Sequence, residues 1–136
     1  MNLNYLLLRL IRRFLPERLT RFLLRRGLVI RPGLETREPA TAVERYQETL
    51  KARGSSLTGK RVLVFGYGGN FAVGAELLRA EASHVVLLDR FAPPDDRRNR
   101  KLVRAYPDYF VLQNDQVKTV DAFITLIHED VKNLKV

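Results

Sequence analysis

A chain of 136 residues, 46% of them hydrophobic, suits one domain with a real core and is too apolar for global disorder. It has no cysteine and only two histidines, His84 and His128, which excludes disulfides, a thiolate nucleophile, a zinc–cysteine site and a histidine-rich metal centre. The formal net charge of +9 is unevenly spread: seven arginines (9, 12, 13, 18, 21, 25 and 26) stand against one acid, Glu17, in the first 30 residues.

Residues 2–15 read as an amphipathic helix, with Leu3, Leu7, Leu10, Ile11 and Phe14 on one side. Pro16 suits the first turn of a second helix striped by Leu19, Phe22 and Leu23, which Gly27 would stop. Such an arm fits as a cap on the main domain or on a second subunit. Its arginines also suit peripheral contact of residues 1–26 with an anionic membrane surface, or contact with nucleic acid, or an organellar transit peptide. No uninterrupted apolar run approaches the ~20 residues of a membrane span, and no small-residue cleavage site follows an apolar region. A cytoplasmic location, membrane-peripheral if the arm binds lipid, is therefore expected.

Residues 27–40 read as a connector. A third helix is predicted from about 39 to 53, with Ala42, Val43, Tyr46 and Leu50 on its apolar side and Gly54 at its end. Residues 1–56 are thus a helical arm and lead-in, and residues 57–136 form a second region.

That second region is organised around residues 61–89. An apolar run, 62–65, ends at Gly66, Tyr67, Gly68, Gly69 and Asn70. A helical pattern over 71–78 follows, then a second apolar run, 85–88, which ends on Asp89. Unbroken Val/Leu/Phe runs suit parallel strands buried on both faces. Glycines at the turn let a ligand approach the backbone, and the amides of the next helix point at it. An acid at the second strand tip, roughly 20 residues on, can accept from a ribose diol. The predicted class is α/β, a Rossmann-like parallel sheet with flanking helices.

Beyond Asp89, Pro93 and Pro94 stop the strand, and Asp95 or Asp96 caps a helix through about Ala105. Its charge run reads as a solvated face or as a phosphate-binding patch. Residues 109–113 are a short apolar piece without a clear type, and 114–116 look like a turn. Residues 122–127 read as the next strand, ending at His128, Glu129 and Asp130. His84 reads as a strand-entry residue and His128 as a crevice contact. Tyr67 reads either as a cofactor contact or as packing on the helix.

The runs VLVFGYGGNFAVG, HVVLLD and ITLIHEDV together resemble the class I S-adenosylmethionine-dependent methyltransferases. The resemblance covers residues 57–136 well and the first 56 loosely. It implies S-adenosylmethionine as cofactor, with Gly66 and Gly68 under its methionine part, along with neighbours Tyr67, Gly69 and Asn70. It implies Asp89 on the ribose hydroxyls, Arg90 flanking the adenine and Asp130 accepting from the adenine amino group. Asn70 stands where the third motif glycine would be, and Val64 where an acid often is.

The family's sheet has about seven strands, and about three are legible here. The expectation is therefore an incomplete, N-terminal part of such a domain, acting on an unassigned methyl acceptor. Its first strand would leave an apolar edge open to self-association or to a partner. The alternatives are an NAD-dependent oxidoreductase-type domain and a non-enzymatic relic or interaction module. For the former, Gly66 to Phe71 fits Gly-x-Gly-x-x-Gly poorly, because Phe71 stands at the last position.

Overall fold

A computed structural model describes residue 16 and residues 37–129, the latter within one compact unit, Leu34–Val136. The helices expected over residues 2–26 lie outside the described residues. Helix α1, Pro39–Ala52, begins with proline, whose missing N–H costs nothing there. Its buried side, Ala42 and Val43, accompanies its packing against the next helix.

The fold is α/β and Rossmann-like. Strands β1 (Arg61–Phe65) and β2 (His84–Leu88) run parallel, joined through helix α2 (Ala72–Arg79). Helix α3 (Asp96–Ala105) and a hairpin of β3 (Phe110–Gln113) and β4 (Gln116–Thr119) follow. Strand β5 (Ile124–Ile127) then pairs parallel to β2, giving the order β1-β2-β5. Among the described residues β1 is thus an outer strand, and its Leu63 and Phe65 are exposed. The central strand β2 is buried on both faces from Val85 to Leu88, as its unbroken apolar run predicts.

Register sorts the side chains. The rows Val62–Val85–Ile124 and Val64–Leu87–Leu126 face the core, which α2 and α3 complete with Phe71, Leu77 and Leu102. Tyr67, Phe71 and Phe110 stack in series, with ring centroids 6.0 and 5.8 Å apart. Helix α2 approaches β2 closely because its inner residues include Ala72, Gly74 and Ala75. A Cβ on Gly74 would meet the flexible methyls of Leu87 at 3.4 Å, which is ordinary contact. Gly74→Ala is therefore expected to raise the unfolding free energy by up to ~1 kcal/mol, from the lower helix propensity of glycine. A thermal midpoint below that of the wild type would show that Leu87 cannot accommodate the methyl.

The apolar piece around residues 109–113 becomes a strand because a partner lies two residues away. Asn114 (φ +50°) and Asp115 (φ +62°) form a two-residue turn, left-handed at both positions, that matches strand twist. Asp96 and Asp115 tie this hairpin to α3: Asp96 Oδ1 accepts from the Val117 amide at 2.7 Å, and Arg100 meets Asp115 at 2.7 Å. The last strand starts later than residue 122. The amides of Phe123 and Ile124 turn back to the Val120 carbonyl, so 121–123 form a turn. His84 anchors that turn, with its ring nitrogens 3.2 Å from the Ala122 carbonyl and 2.8 Å from Thr125 Oγ1. It is a strand-entry residue with a structural task.

Candidate functional site at the carboxyl end of the parallel sheet

Where β1 ends, Gly66 turns the chain in the left-handed region (φ +68°) and its amide donates to the Leu88 carbonyl at 2.7 Å. The turn is thereby fastened to the tip of β2. Gly66 and Gly68 share φ +68°, and a Cβ on either would meet nothing within 4 Å. Both are exposed, so their backbone is open to close approach. Gly69 (φ +77°) is buried and serves another purpose: its Cβ would lie 2.3 Å from the Pro93 carbonyl oxygen. The loop after β2 rests directly on it.

Asp89, 8% exposed, sits between these two loops. Its Oδ2 accepts from the Gly68 amide at 2.9 Å, and its Oδ1 accepts from the amides of Phe91 (2.8 Å) and Ala92 (2.9 Å). A carboxylate offers about four acceptor positions. Three are used by backbone, and the remaining one is on Oδ2.

A second clamp comes from α3. Asn99 is fully buried; its Nδ2 donates to the Gly69 carbonyl (2.8 Å) and its Oδ1 accepts from the Phe71 amide (2.9 Å). The Asp95 amide also donates to the Gly69 carbonyl at 2.9 Å, while Asp95 caps α3 through the Arg98 amide at 3.2 Å. Asn70 accepts from the Ala72 amide at 3.0 Å. The amides of Phe71 and Ala72, at the start of α2, are thus committed to side chains of the chain itself.

Tyr67 lies inside the turn, 4% exposed, with its ring on Phe71. Its hydroxyl is buried and has no hydrogen-bond partner. Burial, then the charge of Asp89, push its pKa up to about 12. The phenol stays protonated and remains a donor at physiological pH.

Around this centre lie Arg90, which is exposed with its guanidinium 5.2 Å from the Phe91 ring centroid, and the exposed rings of Phe91 and Phe65. The structure therefore brings together Gly66, Tyr67, Gly68, Gly69, Asn70, Asp89 and Arg90. Asp130 lies outside the described residues, and His128 is exposed just beyond β5.

No family model matches the chain, and no curated protein matches it.

The residue that sequence reasoning passed over is Asn99. It hides within a run of charges, yet shares a helical face with Leu102, Val103 and Tyr106, all buried or half-buried. That spacing of three, four and seven residues was the available signal. Phe91 was also passed over; it carried no periodic signal, being in a loop. Among the described residues no group of three or more acidic, histidine or cysteine side chains could hold a metal ion. None of their helices is long and apolar enough to cross a membrane.

Proposed function

We propose that the chain binds S-adenosylmethionine at the carboxyl end of β1 and β2, as the cofactor site of a methyltransferase. The observation that carries this reading is the commitment of the α2 amides. A dinucleotide sets its pyrophosphate on the N-terminus of the helix after the first strand. Here the Phe71 and Ala72 amides already donate to Asn99 and Asn70. A nucleoside cofactor without phosphates needs no such cradle, which favours S-adenosylmethionine over NAD.

The residues present suit that cofactor. Oδ2 of Asp89 keeps one acceptor position for a ribose hydroxyl, beside its bond to Gly68. The open sides of Gly66 and Gly68 permit close approach of the sugar and its substituent. Phe91, with Arg90 over its ring, offers a flat apolar surface for the adenine. The cofactor itself supplies the methyl group on a sulfonium, and the task of these residues is to bind and orient it.

Titration calorimetry of the purified chain with S-adenosylhomocysteine, with NAD run in parallel, tests the reading. Saturable heat is expected with the first and none with the second. Asp89→Ala is expected to abolish binding. Because Asp89 also fastens two loops, Asp89→Asn is the companion variant; it retains one carbonyl oxygen and should bind at least about tenfold more weakly while remaining folded by circular dichroism. Heat with NAD and none with S-adenosylhomocysteine would overturn the assignment.

A further inference from the structure

Strand β1 is apolar yet poorly covered. Its sequence is Arg-Val-Leu-Val-Phe, and none of these residues is buried: Arg61, Leu63 and Phe65 are exposed, Val62 and Val64 half-buried. Its neighbour β2 is buried from Val85 to Leu88. The difference is one of position, because among the described residues β1 pairs only with β2 and no strand lies along its other edge. Sheets usually blunt such an edge with proline, a bulge or repeated charge. Strand β1 keeps an unbroken register of five residues against β2 and carries one charge, Arg61, at its first position.

The turn that follows fixes which way the backbone groups of β1 point. The Gly66 amide donates to the Leu88 carbonyl on β2. Successive residues of a strand address alternate edges of the sheet and alternate faces. Val62 and Val64 therefore direct N–H and C=O toward β2, while Arg61, Leu63 and Phe65 direct theirs outward. The residues with outward backbone are thus the same three whose side chains are exposed, with Leu63 at 44% and Phe65 at 56%.

We propose that a second copy of this chain pairs antiparallel with β1 across a two-fold axis at Leu63, joining the two three-stranded sheets into one. In that register Leu63 lies opposite Leu63 of the second copy, Val62 opposite Val64, and Arg61 opposite Phe65. The outward backbone of residues 61, 63 and 65 then supplies hydrogen-bonded pairs, each exchanging both N–H···O bonds. Each guanidinium meets an aromatic ring across the strands, a favourable pair, and the two arginines stand at opposite ends of the contact. Parallel pairing in register would instead set Arg61 beside Arg61, which is unfavourable. The segment is therefore complementary to its own antiparallel copy, as a two-fold contact requires. A five-residue edge is short, so the association is weak and depends on concentration. It is independent of the nucleoside reading of the site.

Sedimentation velocity of the full chain without ligand, over roughly 1–200 μM, tests the pairing. The expected result is a shift from monomer toward dimer with rising concentration and no larger species, because a two-fold contact closes. Hydrogen exchange at both ends of that range should show the Arg61, Leu63 and Phe65 amides slowing at high concentration, with Val62 and Val64, already bonded to β2, unchanged. Phe65→Arg sets arginine opposite Arg61 at both ends of the contact and should weaken association at least about tenfold. Adding Arg61→Phe to it restores a cation opposite a ring and should recover the association. Recovery is particular to this register, since in parallel pairing the double variant still sets arginine against arginine. A monomer at every concentration overturns the proposal. So does association that Phe65→Arg leaves unchanged, or a double variant that associates no more tightly than Phe65→Arg. The exchange pattern of the wild type keeps the test decisive if circular dichroism shows a variant to be unfolded: equal exchange at both concentrations overturns the pairing.

Discussion

Asn99→Ala is expected to lower the unfolding free energy by about 4 kcal/mol, enough to threaten the fold of a domain of ordinary stability. The side chain is fully buried and bridges two backbone groups 30 and 28 residues away, the Gly69 carbonyl and the Phe71 amide. Truncation strands the Phe71 amide in the interior, at roughly 1–3 kcal/mol for such a group. The Gly69 carbonyl keeps the Asp95 amide, so its loss is smaller. A cavity the size of a carboxamide adds to the cost. The effect should reach the site as well, because Asn99 holds the glycine turn against α3. Thermal denaturation is the direct measurement, with a fall of ~15–25 °C expected for a domain of this size. A fall under ~5 °C would show that water replaces the side chain and that the bridge is dispensable. Asn99→Asp makes a useful second variant. It preserves shape and the acceptor for Phe71, yet presents an acceptor to the Gly69 carbonyl and buries a charge, so it too should be strongly destabilising at neutral pH.

Gly69→Ala should be damaging for a different reason and by at least ~3 kcal/mol. At φ +77° an L side chain costs roughly 1–2 kcal/mol by itself. The new Cβ would also lie 2.3 Å from the Pro93 carbonyl oxygen, which is backbone and cannot rotate away. The loop of residues 89–95 would have to lift, and lifting it strains the Asp95–Gly69 bond and the Asp89 bonds to Phe91 and Ala92. Gly68→Ala provides the control. Its φ is +68°, but nothing lies within 4 Å of the added methyl, so only the conformational cost of about 1–2 kcal/mol applies. The two substitutions should thus separate by at least ~1–2 kcal/mol in chemical denaturation. Equal losses would mean that the Pro93 loop yields freely. For the proposed nucleoside binding the order should reverse: the Gly68 methyl would enter the open side of the turn and obstruct the ligand at a smaller cost to the fold.

Much of the fold was legible because its signals are local. The apolar run 85–88 is buried throughout as β2, and the run 62–65 is β1 extended by Arg61. Helix α1 ends one residue before the predicted boundary, and Asp95 rather than Asp96 caps α3. Asp96 instead holds the Val117 amide, a contact that depends on a hairpin 21 residues away. The hairpin itself was only half visible. Its turn residues Asn114 and Asp115 were read as a turn, but residues 109–113 lacked alternation, since Val111, Leu112 and Gln113 are all exposed. A strand with no consistent inner face leaves no period-two trace.

The sequence by itself determined the succession of α1, β1, α2, β2, α3 and β5, the parallel character of β2 and the juxtaposition of a glycine turn with an acid at a strand tip. Each follows from periodicity, turn chemistry and strand length, which act over a few residues. Only the tertiary structure decided how the glycines divide their work, with Gly66 and Gly68 facing open space and Gly69 pressed against Pro93. It alone showed Asn99 reaching from α3 to the Phe71 amide at the start of α2, and Tyr67 buried with its hydroxyl unpaired. These outcomes depend on which segments dock across separations of about 20 to 30 residues. A single side chain's hydrogen-bond partner is set by that docking, and no local pattern encodes it.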